Sequence, residues 1–97
     1  MSTPLSEKEI AVARSELPGW SHEREALVKT FKFESFREAF SFMTHVAFLA
    51  DAMDHHPEWT NVYNRVAIRL NTHDAGNRVT PKDVELAKKI QQVSWVG

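Results

Sequence analysis

The chain contains no cysteine, which excludes a disulfide framework, thiolate-bound zinc, iron–sulfur ligation and a cysteine nucleophile. With only 3 glycines in 97 residues, it cannot supply a Rossmann fingerprint or a phosphate-cradling P-loop, and it has no nucleophile elbow for Ser-His-Asp catalysis. No apolar run approaches the ~20 residues of a spanning helix, because Asp51, Arg65 and Arg69 interrupt the longest ones. No apolar secretory core follows Met1 either, so the expected address is the cytoplasm, with no membrane partner. An excess of charge of one sign is also lacking. The 12 Lys+Arg against 13 Asp+Glu leave a formal net charge of −1, too weak a field for direct nucleic-acid binding through counterion release.

What is present is a hydrophobic share of 42% beside 26% charged residues, the balance of one globular domain over residues 1–97. A chain this short buries only ~60–65% of the surface that its unfolded form exposes, so its core is expected to be completed in a homo-oligomer.

Ser6 and Glu9 form a capping-box pattern ahead of Ile10, Ala13 and Leu17, which predicts a helix from Ser6 to Leu17, stopped by Pro18-Gly19. Trp20 to Arg24 and Ala26 to Phe33 read as a hairpin; in the second segment Leu27, Phe31 and Phe33 share one side, with Lys29 breaking the series. Ser35 and Glu38 repeat the capping box before Phe36, Ala39, Phe40, Met43, Ala47, Ala50 and Met53, a helix that ends by His56 because Pro57 follows. Trp59 to Asn71 is extended, as one long strand or as two with a break near Tyr63-Asn64. Thr80-Pro81-Lys82-Asp83 then supplies the start of a third helix carrying Val84, Leu86, Ala87, Ile90 and Val93. The order predicts an α+β domain, an antiparallel sheet with helices on a single face.

Five histidines are a large share of so short a chain. His55, His56 and His73 stand at junctions between elements, and imidazole, with an unperturbed pKa of ~6.5, can give or take a proton near neutrality. Together they would make an acid/base site. Pro57 restrains His56, and the helix end supplies the bend that lets two consecutive imidazoles reach one pocket. Asp51 is a candidate imidazole-orienting carboxylate, whereas Asp54 reads as a solvated helix charge. His45 is expected to be packed or at an interface, His22 on the surface, and Trp59 and Tyr63 among core or interface aromatics. For a metal there is neither an HExxH motif nor a knuckle spacing; Asp51 and His55, at i and i+4, are the one helical pair with chelating spacing. No metal or other cofactor is expected.

The segments Asp54-His55-His56-Pro57-Glu58-Trp59, Asn61-Val62-Tyr63-Asn64 and Thr72-His73-Asp74-Ala75-Gly76 resemble the pterin-4a-carbinolamine dehydratase family. The resemblance extends over nearly the whole chain, through Leu17-Pro18-Gly19-Trp20, Phe31-Lys32-Phe33, the Phe36 to Ala50 helix and the helix start at Thr80 to Asp83. It implies four antiparallel strands with three helices in the order α-β-β-α-β-β-α, assembled as homodimers or homotetramers. The implied reaction is loss of water from 4a-hydroxytetrahydropterin to give quinonoid dihydropterin, recycling the cofactor of aromatic amino-acid hydroxylases.

Carried over by position, the resemblance makes His55, His56 and His73 the catalytic residues. Pro57, Trp59, Thr72, Asp74 and Ala75 would bind the pterin, and Asp51 and Asp83 would orient imidazoles. Between His73 and Asp83 this chain is one residue longer than the family's usual spacing, with Asn77-Arg78 in the place of a glycine or a single residue. Relatives that act as dimerisation or assembly partners of other proteins imply an alternative, non-catalytic binding module, for which helix two and its phenylalanines offer a surface.

Overall fold

A computed structural model describes residues 3–97. Its elements are α1 (Glu7–Arg14), β1 (Ser21–Glu23), β2 (Ala26–Lys32), α2 (Phe36–Met53), β3 (Glu58–Val62), β4 (Arg65–Leu70), a single 3-10 turn (His73–Ala75) and α3 (Pro81–Val93). The strands form one antiparallel sheet in the order β1-β2-β4-β3.

Local chemistry accounts for most of these boundaries. The Ser6 hydroxyl and the Glu9 carboxylate cap α1 reciprocally. This helix ends three residues before the expected Leu17. The amides of Glu16 and Leu17 reach back only to Ala13 and Arg14, at 3.0 Å each, a tightened last turn that draws Leu17 into the core at 1% exposure. At Gly19 (φ +83) an added Cβ would lie 2.9 Å from the Lys29 side chain. Glycine is therefore required there by both conformation and space.

Arg24 and Glu25, with φ of 50° and 63°, close the first hairpin. Two left-handed residues match the twist of the flanking strands, although Asn-Gly is the usual pair for this turn. At α2 only half of the expected capping box forms. The Ser35 hydroxyl accepts from the Glu38 amide, while the Glu38 carboxylate accepts from the amide of Glu34 rather than that of Ser35. The extended run after Pro57 is two strands that turn at Tyr63-Asn64, where Tyr63 takes φ 51°.

Side-chain alternation gives the sheet two faces. On one face Leu27 and Phe31 of β2 and Val66, Ile68 and Leu70 of β4 are buried beneath α2 and α3. The α1 segment closes against α3 on the same side, contributing Ile10 to the core. The opposite face, with Thr30, Thr60 and Ala67, is open.

Rings order the core: Phe42 of α2 lies 4.8 Å from Phe31 and 4.9 Å from Phe33, and Trp95 covers Phe33 at 5.0 Å. Lys29, the residue that breaks the apolar series, keeps its stem on the covered side. Its ammonium lies 4.8 Å from the Phe31 ring centroid and donates to the Pro18 carbonyl (2.8 Å) and to Gln91 Oε1 (2.9 Å). Loss of hydration lowers the Lys29 pKa from its ordinary 10.5.

His22, expected on the surface, pairs across the sheet with the fully buried Leu27 and shares its face. Its Nε2 is buried without a partner among the described residues. His45 and Tyr63 are exposed. Among the described residues no helix is long and apolar enough to cross a membrane.

Candidate active site

The end of α2 builds one wall of the site. Asp54 caps the helix in the left-handed region (φ 50°, ψ 42°), and the His55 amide donates back to the Ala50 carbonyl at 3.1 Å. Asp is among the few residues with a side chain that enter this region readily. This turn separates the two neighbouring imidazoles. His55 is buried, with 8% of its surface exposed, whereas the side chain of His56 keeps 60%.

Helix α3 supplies the support beneath His55. The Asp83 carboxylate, with no solvent exposure, lies 2.6 Å from His55 Nε2 through Oδ1. Its Oδ2 accepts from the Thr80 amide (2.9 Å) and from the Thr72 hydroxyl (2.8 Å). Asp83 thus has two tasks: it closes the N-terminal capping box of α3 and it holds His55. A carboxylate only accepts, so His55 Nε2 is the donor of that pair and Nδ1 is left without a protein partner among the described residues.

The second wall is the 3-10 turn. Thr72 pairs with Arg78 in an isolated bridge, and between them His73, Asp74 and Ala75 turn the chain. His73 is exposed, and its Nδ1 lies 3.3 Å from Asn77 Oδ1. Since an amide oxygen only accepts, Nδ1 of His73 is the donor of that contact, and Nε2 has no protein partner among the described residues. Asn77, the side-chain neighbour of His73, sits in the left-handed region at φ 60°.

His55, His56 and His73 line one cleft of about 290 Å³, together with Asp54, Asn71, Thr72, Asp74 and Lys82. An adjoining, more apolar hollow of about 470 Å³ is lined by Asp51, Pro57, Trp59 and Phe48, and His56 is common to both. Eight of the ten site residues expected from sequence therefore line one hollow or the other, while Asp83 lies beneath and Ala75 lines neither.

Asp51 stands 3.8 Å from His56 Nε2, with both side chains largely exposed, and does not pair with His55. The expected i, i+4 relation fails because α2 ends at Met53. Among the described residues no group of three His, Cys, Asp or Glu is placed to hold a metal ion. Lys82, Asn71, Asn77 and Thr80 are not among the site residues expected from the sequence. Lys82 and Thr80 were legible only as a helix start, Asn77 only as a turn, and Asn71 gave no signal beyond closing a strand. A larger hollow of about 530 Å³ lies on the open sheet face, and no histidine lines it.

Residues 3–93 match the family described as pterin 4 alpha carbinolamine dehydratase. A protein of Opitutus terrae is 58% identical over 97 residues, covering all of both chains. A second, from Prochlorococcus marinus, is 48% identical over 91 residues, covering 94% of each. Both carry the name "Putative pterin-4-alpha-carbinolamine dehydratase". A solved structure from Brucella melitensis, described as a transcriptional coactivator/pterin dehydratase, superposes with a TM-score of 0.90 at 41% identity, over 98% of this chain and 100% of that one.

Proposed function

The chain belongs to the pterin-4a-carbinolamine dehydratase family of hydro-lyases, and from that premise we propose that its histidines dehydrate 4a-hydroxytetrahydropterin by general acid–base catalysis. The observation that carries this reading is the convergence of His55, His56 and His73 on one cleft, with His55 braced by a buried carboxylate.

In the reaction a base removes the N5 proton, the N5–C4a double bond forms as the C4a–O bond breaks, and an acid protonates the departing hydroxyl, which leaves as water. The product is quinonoid dihydropterin, and no electrons are exchanged with a third party. The step requires one proton acceptor and one donor near neutrality. His55 Nδ1 and His73 Nε2, each without a protein partner among the described residues, are the proposed proton-transfer atoms. His56, on the ridge between the two hollows, positions the pterin. Pro57 and Trp59 shape the adjoining hollow, Thr72, Asp74 and Ala75 form the turn beside it, and Asp83 orients His55. Asp51, 3.8 Å from His56 Nε2, acts on it as an exposed neighbouring charge.

The product's return to the tetrahydro form links the chain to an aromatic amino-acid hydroxylase, and the exposed Phe36, Phe40 and Phe48 of α2 support assembly as a homodimer or homotetramer. The same phenylalanines, together with the coactivator description of the Brucella melitensis protein, favour a protein-binding role as the second reading.

Stopped-flow absorbance of freshly generated 4a-hydroxytetrahydropterin tests the first reading. The wild type should accelerate its decay in the presence of a chelator, and His73→Ala should lose about 10²–10⁴-fold of that acceleration while staying folded. A folded wild type without acceleration would leave only the binding role. Full activity in His73→Ala would remove that residue from the proton-transfer pair.

A further inference from the structure

We propose that a second copy of this chain completes the candidate site: α2 packs antiparallel on α2 of that copy, whose Arg37 pairs with Asp51 at the rim of the hollow beside His56. The inference deepens the homo-oligomer reading and rests on it, and on His56 positioning the pterin.

Helix α2 buries Ala39, Phe42, Val46 and Ala50 in the core. The face turned away from them carries Arg37, Phe40, Thr44, Phe48 and Asp51 at steps of three and four, and all five are exposed. Phe40 and Phe48 keep 58% and 72% of their surface, apolar area that gains by being covered. The Thr44 hydroxyl donates to the Phe40 carbonyl at 2.9 Å, so it asks for no partner outside the helix. The middle of this face is therefore apolar and its two ends are charged. Among the described residues Arg37 makes no salt bridge, and the Asp51 carboxylate approaches only His56, at 3.8 Å.

The five residues are symmetric about Thr44. A phenylalanine stands four residues before it and another four after it, and a cation stands seven before it and an anion seven after it. An antiparallel copy, turned about a two-fold axis at Thr44, sets Phe40 on Phe48 and Arg37 on Asp51, each twice. A parallel copy would set Arg37 on Arg37 and Asp51 on Asp51. Steps of three and four form the seam along which near-antiparallel helices pack closely, and Thr44 is small enough to sit on the axis. A face that answers itself in this way is what a two-fold contact between identical chains requires. A foreign partner would have to carry the same pattern independently.

The contact reaches the site because Phe48 and Asp51 line the apolar hollow with His56, Pro57 and Trp59. Phe40 of the second copy covers Phe48 and walls the hollow. Its Arg37 holds Asp51 and offsets the carboxylate charge beside His56, which fixes the surroundings in which His56 meets the pterin. Arg37 of the same chain lines neither hollow.

Analytical ultracentrifugation and stopped-flow kinetics on the full chain test this. Arg37→Glu and Asp51→Arg should each halve the mass of the assembly and raise its Kd at least about tenfold, because each change acts twice per contact. Both positions are exposed, so both variants should keep the circular dichroism of the wild type. Mixed together they should reassemble, because every opposed pair across the mixed contact then joins unlike charges. Arg37→Glu alone should raise KM about fivefold, the scale of one exposed ion pair, with kcat changed less than about twofold. The mixture should restore KM at the sites that keep Asp51.

A wild type that sediments as a monomer overturns the homo-oligomer reading and the inference with it. An oligomer whose mass and Kd are unmoved in Arg37→Glu overturns the α2 contact alone. Variants that come apart singly but do not reassemble when mixed overturn the antiparallel register. Dissociation with an unmoved KM overturns the contribution of the second copy to the site.

Discussion

The two walls of the histidine cleft are built by opposite means. His55 is held by groups from three places in the chain: the left-handed turn after α2, Thr72 beyond the end of β4, and the first turn of α3 with Thr80 and Asp83. Of these groups Thr72, Thr80 and Asp83 are almost entirely withdrawn from water, as is His55 itself. His73 is exposed on a single 3-10 turn, and its side-chain hydrogen-bond partner among the described residues is four residues away. One imidazole is therefore part of the core and the other part of a loop. In a buried network each group is a condition for the others, because an unpaired partner keeps its full desolvation cost. On an exposed turn water replaces whatever is lost.

The largest difference should appear in stability rather than in turnover. Removing the His55 ring leaves Asp83 Oδ1 buried without its donor, so His55→Ala should cost about 3 kcal/mol. For a domain of this size that is a fall in Tm of more than about 10 °C. His73→Ala should stay within about 0.5 kcal/mol of the wild type. Thermal unfolding of the two variants side by side decides the matter: equal shifts would mean that the walls are not mechanically distinct.

The same contrast governs what was legible in the sequence. His55, His56 and His73 could be singled out by residue type and junction position, because imidazole chemistry does not depend on the fold. The start of α2 at Ser35 and its end before Pro57 follow from local rules that act within a few residues. The partner of His55 could not be chosen that way. Asp51 is close in sequence and Asp83 is 28 residues away, and only the packing of α3 against α2 selects the second. Thr80 read as a helix cap, and its hydroxyl meets a second partner only because Thr72 is brought to 2.6 Å. His22 failed for a related reason: a polar residue in a three-residue edge strand reads as surface until its pairing with Leu27 puts it on the covered face. Where β3 gives way to β4, alternation continues through Tyr63-Asn64, so the turn was visible only as one of two readings.

A smaller effect sharpens the comparison on the exposed wall. Asn77 touches His73 through a 3.3 Å contact and adopts φ 60°. Alanine at this position would mix loss of the contact with backbone strain. Asn77→Gly removes the side chain where glycine is at ease, so stability should move by no more than about 0.5 kcal/mol. If the contact orients His73, kcat in the stopped-flow assay should fall about threefold, the scale of a solvent-exposed hydrogen bond. Unchanged turnover would mean that His73 is oriented by the substrate alone and that this wall contributes no preorganisation.

The smallest effect belongs to two carboxylates of the N-terminal segment, Glu9 and Glu16, which line neither hollow of the site and so serve as a reference for both walls. The Ser6 amide, and after it the Ser6 hydroxyl, hold the Glu9 carboxyl below its ordinary 4.5, and the Lys88 ammonium does the same for Glu16 at 2.7 Å. Each group has a lower pKa folded than unfolded, so between those two values the unfolded chain binds the proton more readily. The stabilisation is complete above 4.5 and is lost as the pH falls through the folded value. Both carboxylates are fully exposed, which keeps the loss small. Urea midpoints measured from about pH 7 to about pH 3 should therefore fall less steeply in Glu9→Gln and Glu16→Gln than in the wild type. Curves that stay parallel would show that these contacts form equally in the unfolded chain, and acid would then weaken the fold through its other carboxylates alone.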